Sequence, residues 1–370
     1  MNILFISTFK YSLETWEKSK TLDREMKFFT FMSENYGINF SFLTYGTNND
    51  VNFVSGDYFS VFPMFKKYIP NSNILTIFTT IKYLVINKEK FEDIDLIHHN
   101  QLNGMWLGIF AKFLLKKPLL FRSGYDTYRF SRYEKKSMLK KTFFYLLTNF
   151  SLLYADLYTV TSESDLNYSK NYPARPKKIE LRRNWVNEIK LDEKEIRKND
   201  IISVGRLEKQ KNYKKVLDDF KSNLFSIIIY GDGSEFTSLS KEINENNLNI
   251  QLKGTIPNER LSTIYKESKF FISTSLFEGN PKTVLEAMSA GCIPILSNID
   301  NHKELVDHNK NGFLVNLEDN FESVLSNILK NKTSLPELSK NARIKVKENN
   351  SLKVISNQIY SDYKELTKNL

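Results

Sequence analysis

Two formats of hydrophobic patterning recur along the chain: short β-branched or aromatic runs, and longer stretches with apolar residues at helical spacing. In the first half the runs Ile3–Ser7, Asn39–Thr44, Leu96–His99, Leu119–Arg122 and Leu157–Thr161 predict strands. Helical stretches around 18–35, 102–115 and 135–154 separate several of them. A second series opens at Asp200 with Ile201-Ile202-Ser203-Val204 and continues through Ser226–Tyr230, Ile250–Lys253, Phe270–Thr274, Ile293–Ser297 and Phe313–Val315. Its helices fall near 211–221, 234–246, 258–267, 282–290 and 320–331. Strands alternating with helices imply parallel sheets covered by helices. Between the two series Glu188–Asn199 is charged and aperiodic, which reads as a linker. The last stretch, Leu352–Leu370, carries Ile355, Ile359 and Tyr363 at helical spacing and predicts a terminal helix. The expectation is an α/β protein of two Rossmann-like doubly wound domains, residues 1–187 and 188–351, facing an interdomain cleft, with helix 352–370 packing back onto the first.

A chain of 370 residues suits two domains better than one core, and its 28 Phe and 19 Tyr can fill both. No repeat of solenoid length appears. The single cysteine, Cys292, excludes disulfides and cysteine-based zinc sites and suits a reducing cytosol. The N-terminus lacks a signal-peptide pattern, and the longest apolar candidate, 143–160, is interrupted by Asn149 and Asp156. Charge is uneven: residues 1–185 hold 26 Lys+Arg against 17 Asp+Glu, whereas residues 186–370 hold 27 against 26. The clusters Lys66-Lys67, Lys116-Lys117, Lys135-Lys136 and Lys140-Lys141 fit an anionic membrane surface or a phosphate-bearing acceptor, or are plain solvated surface. No nucleic-acid recognition motif accompanies them.

The chemistry concentrates in residues 270–315. The strand Phe270–Thr274 runs into Ser275-Leu276-Phe277-Glu278-Gly279-Asn280-Pro281, and a helix starts with Lys282-Thr283-Val284-Leu285-Glu286. Pro281 sits where the missing N–H is harmless, and Gly279 lets a ligand approach the backbone. The N–H groups and partial positive charge at a helix start, here Lys282 and Thr283, suit a diphosphate. Glu286, one turn in, is placed to accept hydrogen bonds from ribose hydroxyls, and Glu278 lies on the loop nearer a sugar. Upstream, the strand Ile201–Val204 leads into Gly205-Arg206-Leu207, with Lys211 opening the next helix. Both cations are expected to converge on phosphate oxygens, and two fixed cations with a helix terminus can replace a metal beside a departing diphosphate.

Glu278 and Glu286 form a Glu-x7-Glu pair that resembles the signature of the family 4 retaining glycosyltransferases of GT-B architecture. The flanking Glu278-Gly279-Asn280-Pro281 and Glu286-Ala287-Met288-Ser289-Ala290-Gly291-Cys292-Ile293-Pro294 are similar to that family. So are Val204-Gly205-Arg206-Leu207 with Lys211, Tyr230-Gly231-Asp232-Gly233, Lys253-Gly254-Thr255-Ile256-Pro257, Glu304-Leu305-Val306 and Asn311-Gly312-Phe313-Leu314-Val315. The ordered series covers the C-terminal half; the N-terminal half matches loosely. The resemblance implies a retaining, metal-independent enzyme without a cofactor, which moves a sugar from a nucleotide diphosphate sugar to a glycan or lipid-linked acceptor in surface polysaccharide synthesis. It implies Arg206 and Lys211 on the diphosphate, Glu286 on the ribose, Glu278 on the sugar, and Thr255, Ile256 and Pro257 around the base. Gly205, Gly231, Gly279, Asn280, Pro281, Lys282 and Thr283 complete the implied donor site.

In the first half, Arg122-Ser123-Gly124-Tyr125-Asp126 stands where the family often has His-Gly with a nearby Asp, so Ser123, Tyr125 and Asp126 are the acceptor-side candidates. The loop 7–18 lacks the family's paired glycines, and Trp185 replaces a glycine in Asn184-Trp185-Val186-Asn187. Gly231-Asp232-Gly233 is followed by Phe236 where a dinucleotide fingerprint needs its third glycine. Asp93-Ile94-Asp95 precedes a strand and reads as a solvated turn; His98 and His99 alternate faces on a strand and cannot share one metal ion. The alternatives to a transferase are a sugar-nucleotide epimerase on the same scaffold or a non-catalytic sugar-nucleotide-binding subunit.

Overall fold

The computed structural model describes residues 1–189, 197, 199–330 and 334–368. Much of the linker read over 188–199 therefore lies outside the described residues, as do position 331 of the helix expected over 320–331 and positions 369–370 of the last helix. The chain divides into two compact units, Met1–Arg182 with Ser356–Leu370, and Arg183–Ile355.

Unit 1 holds a seven-stranded parallel sheet of β1 (Asn2–Ile6), β2 (Asn39–Thr44), β3 (Phe59–Pro63), β4 (Leu96–Asn100), β5 (Leu119–Ser123), β6 (Leu157–Val160) and β7 (Ile179–Leu181), in the order β3-β2-β1-β4-β5-β6-β7. Its helices are α1 (Leu13–Lys18), α2 (Leu22–Tyr36), α3 (Asn73–Ile86), α4 (Met105–Leu115), α5 (Thr127–Tyr133), α6 (Met138–Tyr154) and α7 (Glu163–Ser169). Strand alternation sends Leu4 and Ile6 into the core shared with α4 and α6. Phe5 points the other way, where Phe29 of α2 meets Phe5, Phe40 and Phe42 at centroid separations of 4.8 to 5.0 Å. Edge strands β3 and β7 were not read from the sequence: one ends on Pro63, and the other has three residues between basic neighbours.

Unit 2 holds β8 (Asn199–Val204), β9 (Ile227–Tyr230), β10 (Ile250–Leu252), β11 (Ser268–Ser273), β12 (Ile293–Ser297) and β13 (Phe313–Val315), parallel in the order β10-β9-β8-β11-β12-β13. Its helices are α8 (Tyr213–Asp219), α9 (Phe236–Glu245), α10 (Asn258–Lys266), α11 (Lys282–Ser289), α12 (Asp300–Lys303), α13 (Phe321–Lys330) and α14 (Leu335–Asn350). Ile201, Phe270, Ile272 and Ile295 fill one face of the sheet, and their neighbours Ile202, Phe271 and Leu296 fill the other. Both faces are dry, which is why these strands read as unbroken apolar runs.

The last helix, α15 (Leu352–Thr367), belongs to unit 1 from Ser356 onward. Arg182 grips Asp362 with Nε and Nη2, each at 2.6 Å, and Tyr360 stacks on Tyr36 at 4.2 Å. The Tyr363 hydroxyl lies 2.6 Å from His98 Nδ1. Among the described residues no helix is long and apolar enough to cross a membrane.

Candidate functional site

Strand order in unit 2 reverses between β8 and β11, and the loops leaving two such strands part to open a crevice at their carboxyl ends. The charged residues singled out by sequence stand on, or just beyond, those two loops. After β8 come Gly205, Arg206 and a 3-10 turn, Lys209–Lys211, closed by Asn212 in the left-handed conformation at φ 53°. After β11 the chain runs through Thr274–Pro281 into α11. Cross-loop hydrogen bonds hold the two together: Leu276 N donates to Gln210 O at 2.9 Å, Gln210 Nε2 to Phe277 O at 2.8 Å, and Thr274 Oγ1 to Asn212 O at 2.9 Å.

That stitching brings Lys211 Nζ to 2.5 Å from Glu278 Oε1, which also accepts from Ser275 Oγ at 2.6 Å. Glu278 is only 7% exposed. Burial alone pulls its carboxyl upward; the Lys211 charge, buried His302 and the Lys211 and Ser275 hydrogen bonds outweigh that and hold it below the ordinary carboxylate range. Glu278 is therefore ionised at neutral pH and accepts hydrogen bonds without having a proton to give. Arg206 is exposed, and its side chain makes no ion pair or hydrogen bond among the described residues, so its guanidinium is available to an anion.

Glu286 is the fifth residue of α11 and is 9% exposed, on a helix otherwise buried through Val284, Leu285, Ala287 and Met288. Tyr265 Oη donates to its Oε2 at 3.4 Å. No side chain caps the first turn of α11, whose Ncap is Pro281 followed by half-buried Lys282 and Thr283. Lys282 Nζ lies 4.6 Å above the Trp185 ring, which gives the tryptophan a cation to stack on where the family has glycine. Asn280 is engaged by neighbours within unit 2. Its Oδ1 accepts the Asn184 N–H at 2.8 Å and faces Asn350 Nδ2, so the side chain anchors the loop after Gly279.

Gly205 and Gly231 are fixed by sterics. Gly231 has φ +149°, and a Cβ there would stand 1.9 Å from the Gly205 carbonyl oxygen, so the loops after β8 and β9 approach at backbone distance. Past β10, Thr255 and Pro257 are exposed and Ile256 packs on the core beneath α10 and α11.

His302 shares no spacing with the other histidines that would single it out in the sequence. It is fully buried on α12, the element after β12. Its Nδ1 lies 2.9 Å from the Ser297 carbonyl, and Ser297 Oγ in turn donates to Ser275 O at 2.6 Å, linking it to the Glu278 loop. Burial pushes the imidazole down to about 4, against the pull of Glu278. A carbonyl only accepts, so the neutral ring carries its proton on Nδ1. The available signal was position: His302 stands two residues before the motif Glu304-Leu305-Val306.

In unit 1 the acceptor-side candidates are largely engaged internally. Ser123 Oγ donates to Tyr125 O at 2.8 Å; Asp126 caps α5 by accepting the Arg129 N–H and takes the Tyr172 hydroxyl at 2.8 and 3.0 Å. Tyr125 is the exposed member and stacks on Phe130. The Asp93/Asp95 pair is a turn: Asn2 N donates to Asp95 Oδ2 and Asn2 Nδ2 to Asp93 O. Among the described residues no group of three or more His, Cys, Asp or Glu is placed to hold a metal ion.

Residues 186–345 match the family model described as "Glycosyl transferases group 1". A Campylobacter jejuni protein named as a GalNAc-alpha-(1->4)-GalNAc-alpha-(1->3)-diNAcBac-PP-undecaprenol alpha-1,4-N-acetyl-D-galactosaminyltransferase is 25% identical over 249 residues, 65% of this chain and 66% of that protein. An Escherichia coli UDP-Gal:alpha-D-GlcNAc-diphosphoundecaprenol alpha-1,3-galactosyltransferase is 33% identical over 154 residues, 39% of each chain. These matches span 66% and 39% of the two relatives' own lengths. Among solved structures, the sucrose-phosphate synthase of Thermosynechococcus elongatus superposes with a TM-score of 0.82 at 17% identity over 100% of both chains. Anabaena Alr3699/HepE, solved with UDP-glucose, gives 0.76 at 15% identity over 99% of this chain and 100% of that one. The motif series and the family match agree that residues 186–345 are similar to the group 1 glycosyltransferases, and the two parallel sheets share the GT-B fold of the solved structures.

Proposed function

We propose that the chain is a retaining, metal-independent glycosyltransferase that moves a sugar from a nucleotide diphosphate donor to a glycan or lipid-linked acceptor in surface polysaccharide assembly. The observation that carries this reading is the Lys211–Glu278 pair on the two switch-point loops of unit 2, beside exposed Arg206 and an uncapped helix start. Arg206, Lys211 and the first turn of α11 take the diphosphate, Glu286 the ribose hydroxyls, Glu278 the sugar hydroxyls, and Thr255, Ile256 and Pro257 flank the base. The Gly205, Gly231 and Gly279 backbones give the donor room. Unit 2 is thus the donor-binding unit, and unit 1, carrying Ser123, Tyr125 and Asp126, the acceptor-binding one.

In the transfer the bond between the anomeric carbon and the diphosphate oxygen breaks, and a bond to the acceptor oxygen forms on the same face. The acceptor hydroxyl's proton passes to the departing diphosphate. Fixed cations stabilise the charge that grows on the leaving group, which is the term a metal supplies in other designs. The ionised Glu278 sits where positive charge develops on the sugar. A lipid-linked acceptor is supported by the diphosphoundecaprenol in the names of the Campylobacter and Escherichia relatives, and a UDP-sugar by the donor in the latter. Such an acceptor places the enzyme at the cytoplasmic side of a membrane, where the basic first half is drawn to anionic lipid.

A thermal-shift screen of UDP-, GDP- and ADP-sugars names the donor, and transfer assayed with and without EDTA tests the metal. The expected result is one selective nucleotide and unaltered transfer in EDTA. No stabilisation by any nucleotide sugar, or strict dependence on Mg²⁺ or Mn²⁺, refutes the reading.

A further inference from the structure

We propose that the outer face of α3, α4 and α6 is an insertion surface that seats unit 1 in the headgroup and upper acyl region of an anionic bilayer. The proposal rests on the peripheral reading given above and extends it from electrostatic attraction to apolar burial by a defined face. Along α6, Leu139, Phe143, Leu146, Phe150 and Leu153 form one stripe at spacings of four and three residues, and each is about half exposed or more, Leu139 reaching 84%. Next to it Phe113 of α4 is 59% exposed and packs its ring edge-on against Tyr154, the last residue of α6. On the far side of α4, α3 exposes Ile74, Leu75, Phe78, Val85 and Ile86. Since α4 contacts both α3 and α6, the three contribute to one broad face. Isolated exposed apolar residues are ordinary; a patch spread over three adjacent helices marks a surface that is covered in use.

Charge decides what covers it. The three helices contain no Asp or Glu, and their charged residues are Lys82, Lys112, Lys140 and Lys141. Lys135 and Lys136 precede α6, and Lys116 and Lys117 follow α4. At that end of α4 an open pocket of about 370 Å³ is lined by Lys112, Phe113, Lys116, Lys117 and Pro118, with Asp156 paired to Lys112 at 2.7 Å. A partner helix packing on the α6 stripe would call for mixed charges along the seam. An apolar face whose own helices carry only lysines, with Asp156 neutralised by Lys112 and Glu134 paired with Lys136, matches an anionic lipid surface, where ammonium groups meet phosphates while aromatic and aliphatic side chains enter the acyl boundary.

The test is vesicle sedimentation of the purified full chain, without donor or acceptor, on phosphatidylglycerol/phosphatidylcholine (1:1) and on pure phosphatidylcholine, with donor-induced thermal shift read in parallel. Wild type is expected to bind the anionic vesicles and to remain mostly bound in 0.5 M NaCl, since apolar insertion is insensitive to screening. Leu139→Glu/Phe143→Glu/Phe150→Glu is expected to lower partitioning at least tenfold at unchanged melting temperature and unchanged thermal shift. Lys140→Ala/Lys141→Ala is expected to lower it on the order of tenfold at low salt, from the attraction of each lysine near the surface. Equal binding by wild type and the triple-Glu variant, or complete release of wild type by salt, overturns insertion. So does a wild-type dimer in sedimentation velocity that the triple-Glu variant converts to monomer, because the face is then a contact between copies. Absence of any donor-induced shift with vesicle binding intact counts against the transferase reading alone.

Discussion

Replacing Lys211 by methionine keeps the length and most of the volume of the side chain and removes the charge that faces Glu278. The carboxylate, 7% exposed and 2.5 Å from the lost ammonium, would keep its hydrogen bond from Ser275 and the neutral His302 near by. Breaking one partner of a buried ion pair leaves the other charge uncompensated, at about 3 to 5 kcal/mol. Glu278 can limit that loss only by taking up a proton. In wild type its folded pKa is depressed, so the stability it contributes is present above the unfolded value, 4.5, and is lost as pH falls through the folded pKa. In Lys211→Met, burial without Lys211 reverses the direction: the folded pKa lies above the unfolded one, and the penalty is full at neutral pH and shrinks as pH falls. The difference between the two proteins is therefore largest near pH 7 to 8 and narrows toward pH 5.

Urea denaturation at pH 7.5 and pH 5 measures this directly, with Lys211→Met/Glu278→Gln as the control that removes both charges. We expect a loss of about 3 kcal/mol or more for the single variant at pH 7.5, a smaller loss at pH 5, and partial recovery in the double variant. A single variant within about 0.5 kcal/mol of wild type at both pH values would falsify the claim that Lys211 compensates a buried charge. A loss that is pH-independent and not relieved in the double variant would assign the residue a packing role.

The other expectations concern separate features. Glu286→Ala should raise the donor dissociation constant about ten- to hundredfold by calorimetry, the value of hydrogen bonds to a charged group, while Glu278→Ala should chiefly lower kcat; unchanged kinetics in both would remove the donor-site assignment. Gly231→Ala places a Cβ 1.9 Å from the Gly205 oxygen and should lower stability by about 3 kcal/mol or more, and a melting temperature within 2 to 3 °C of wild type would show that the loops separate easily. Asp165 is pushed up to about 7, by burial first and then by the Asp126 charge, with Arg129 opposing. A raised folded pKa means that stability is lost as pH climbs from about 4 to 7; Asp165→Asn should abolish that slope and leave the variant more stable at pH 8 by about 3 to 5 kcal/mol, whereas parallel stability curves would refute it.

What could be read from the sequence follows from where each segment's partners lie. The inner strands of unit 2 are legible because a strand buried on both faces writes an apolar run that needs no knowledge of its neighbours, as Ile201–Val204 and Ile293–Ser297 illustrate, and its edge strands β10 and β13 show through the short apolar runs Ile250–Leu252 and Phe313–Val315. The edge strands β3 and β7 are not legible, because half their environment is solvent and their composition is that of a loop. Helix α14 hides the buried row Leu338, Ala342 and Val346 in a lysine- and asparagine-rich segment, and α3 hides for the opposite reason, being apolar on nearly every side. Motif spacing points to Lys211 and Glu278, but their 2.5 Å contact depends on the Gln210 and Thr274 hydrogen bonds that join their two loops across a sequence separation of 67 residues. His302 marks the limit of spacing as a signal: nothing periodic points to it, and its nearness to Glu278 arises in the fold, through Ser297 and Ser275, one strand further along the sheet.

The featureless pattern of α3 and the exposed apolar stripe of α6 have one physical origin. A helix pattern becomes visible when water and core demand different residues on opposite sides, and α3 lacks that contrast because its outward side is as apolar as its inward one. Helix α6 keeps the periodicity yet places large apolar residues on the side a soluble protein would give to lysine and glutamate. No stabilisation of unit 1 by itself explains Leu139 or Phe143 in those positions, since neither is buried. The insertion surface proposed above would account for both helices at once, and would tie the excess of positive charge in the first half to the same face.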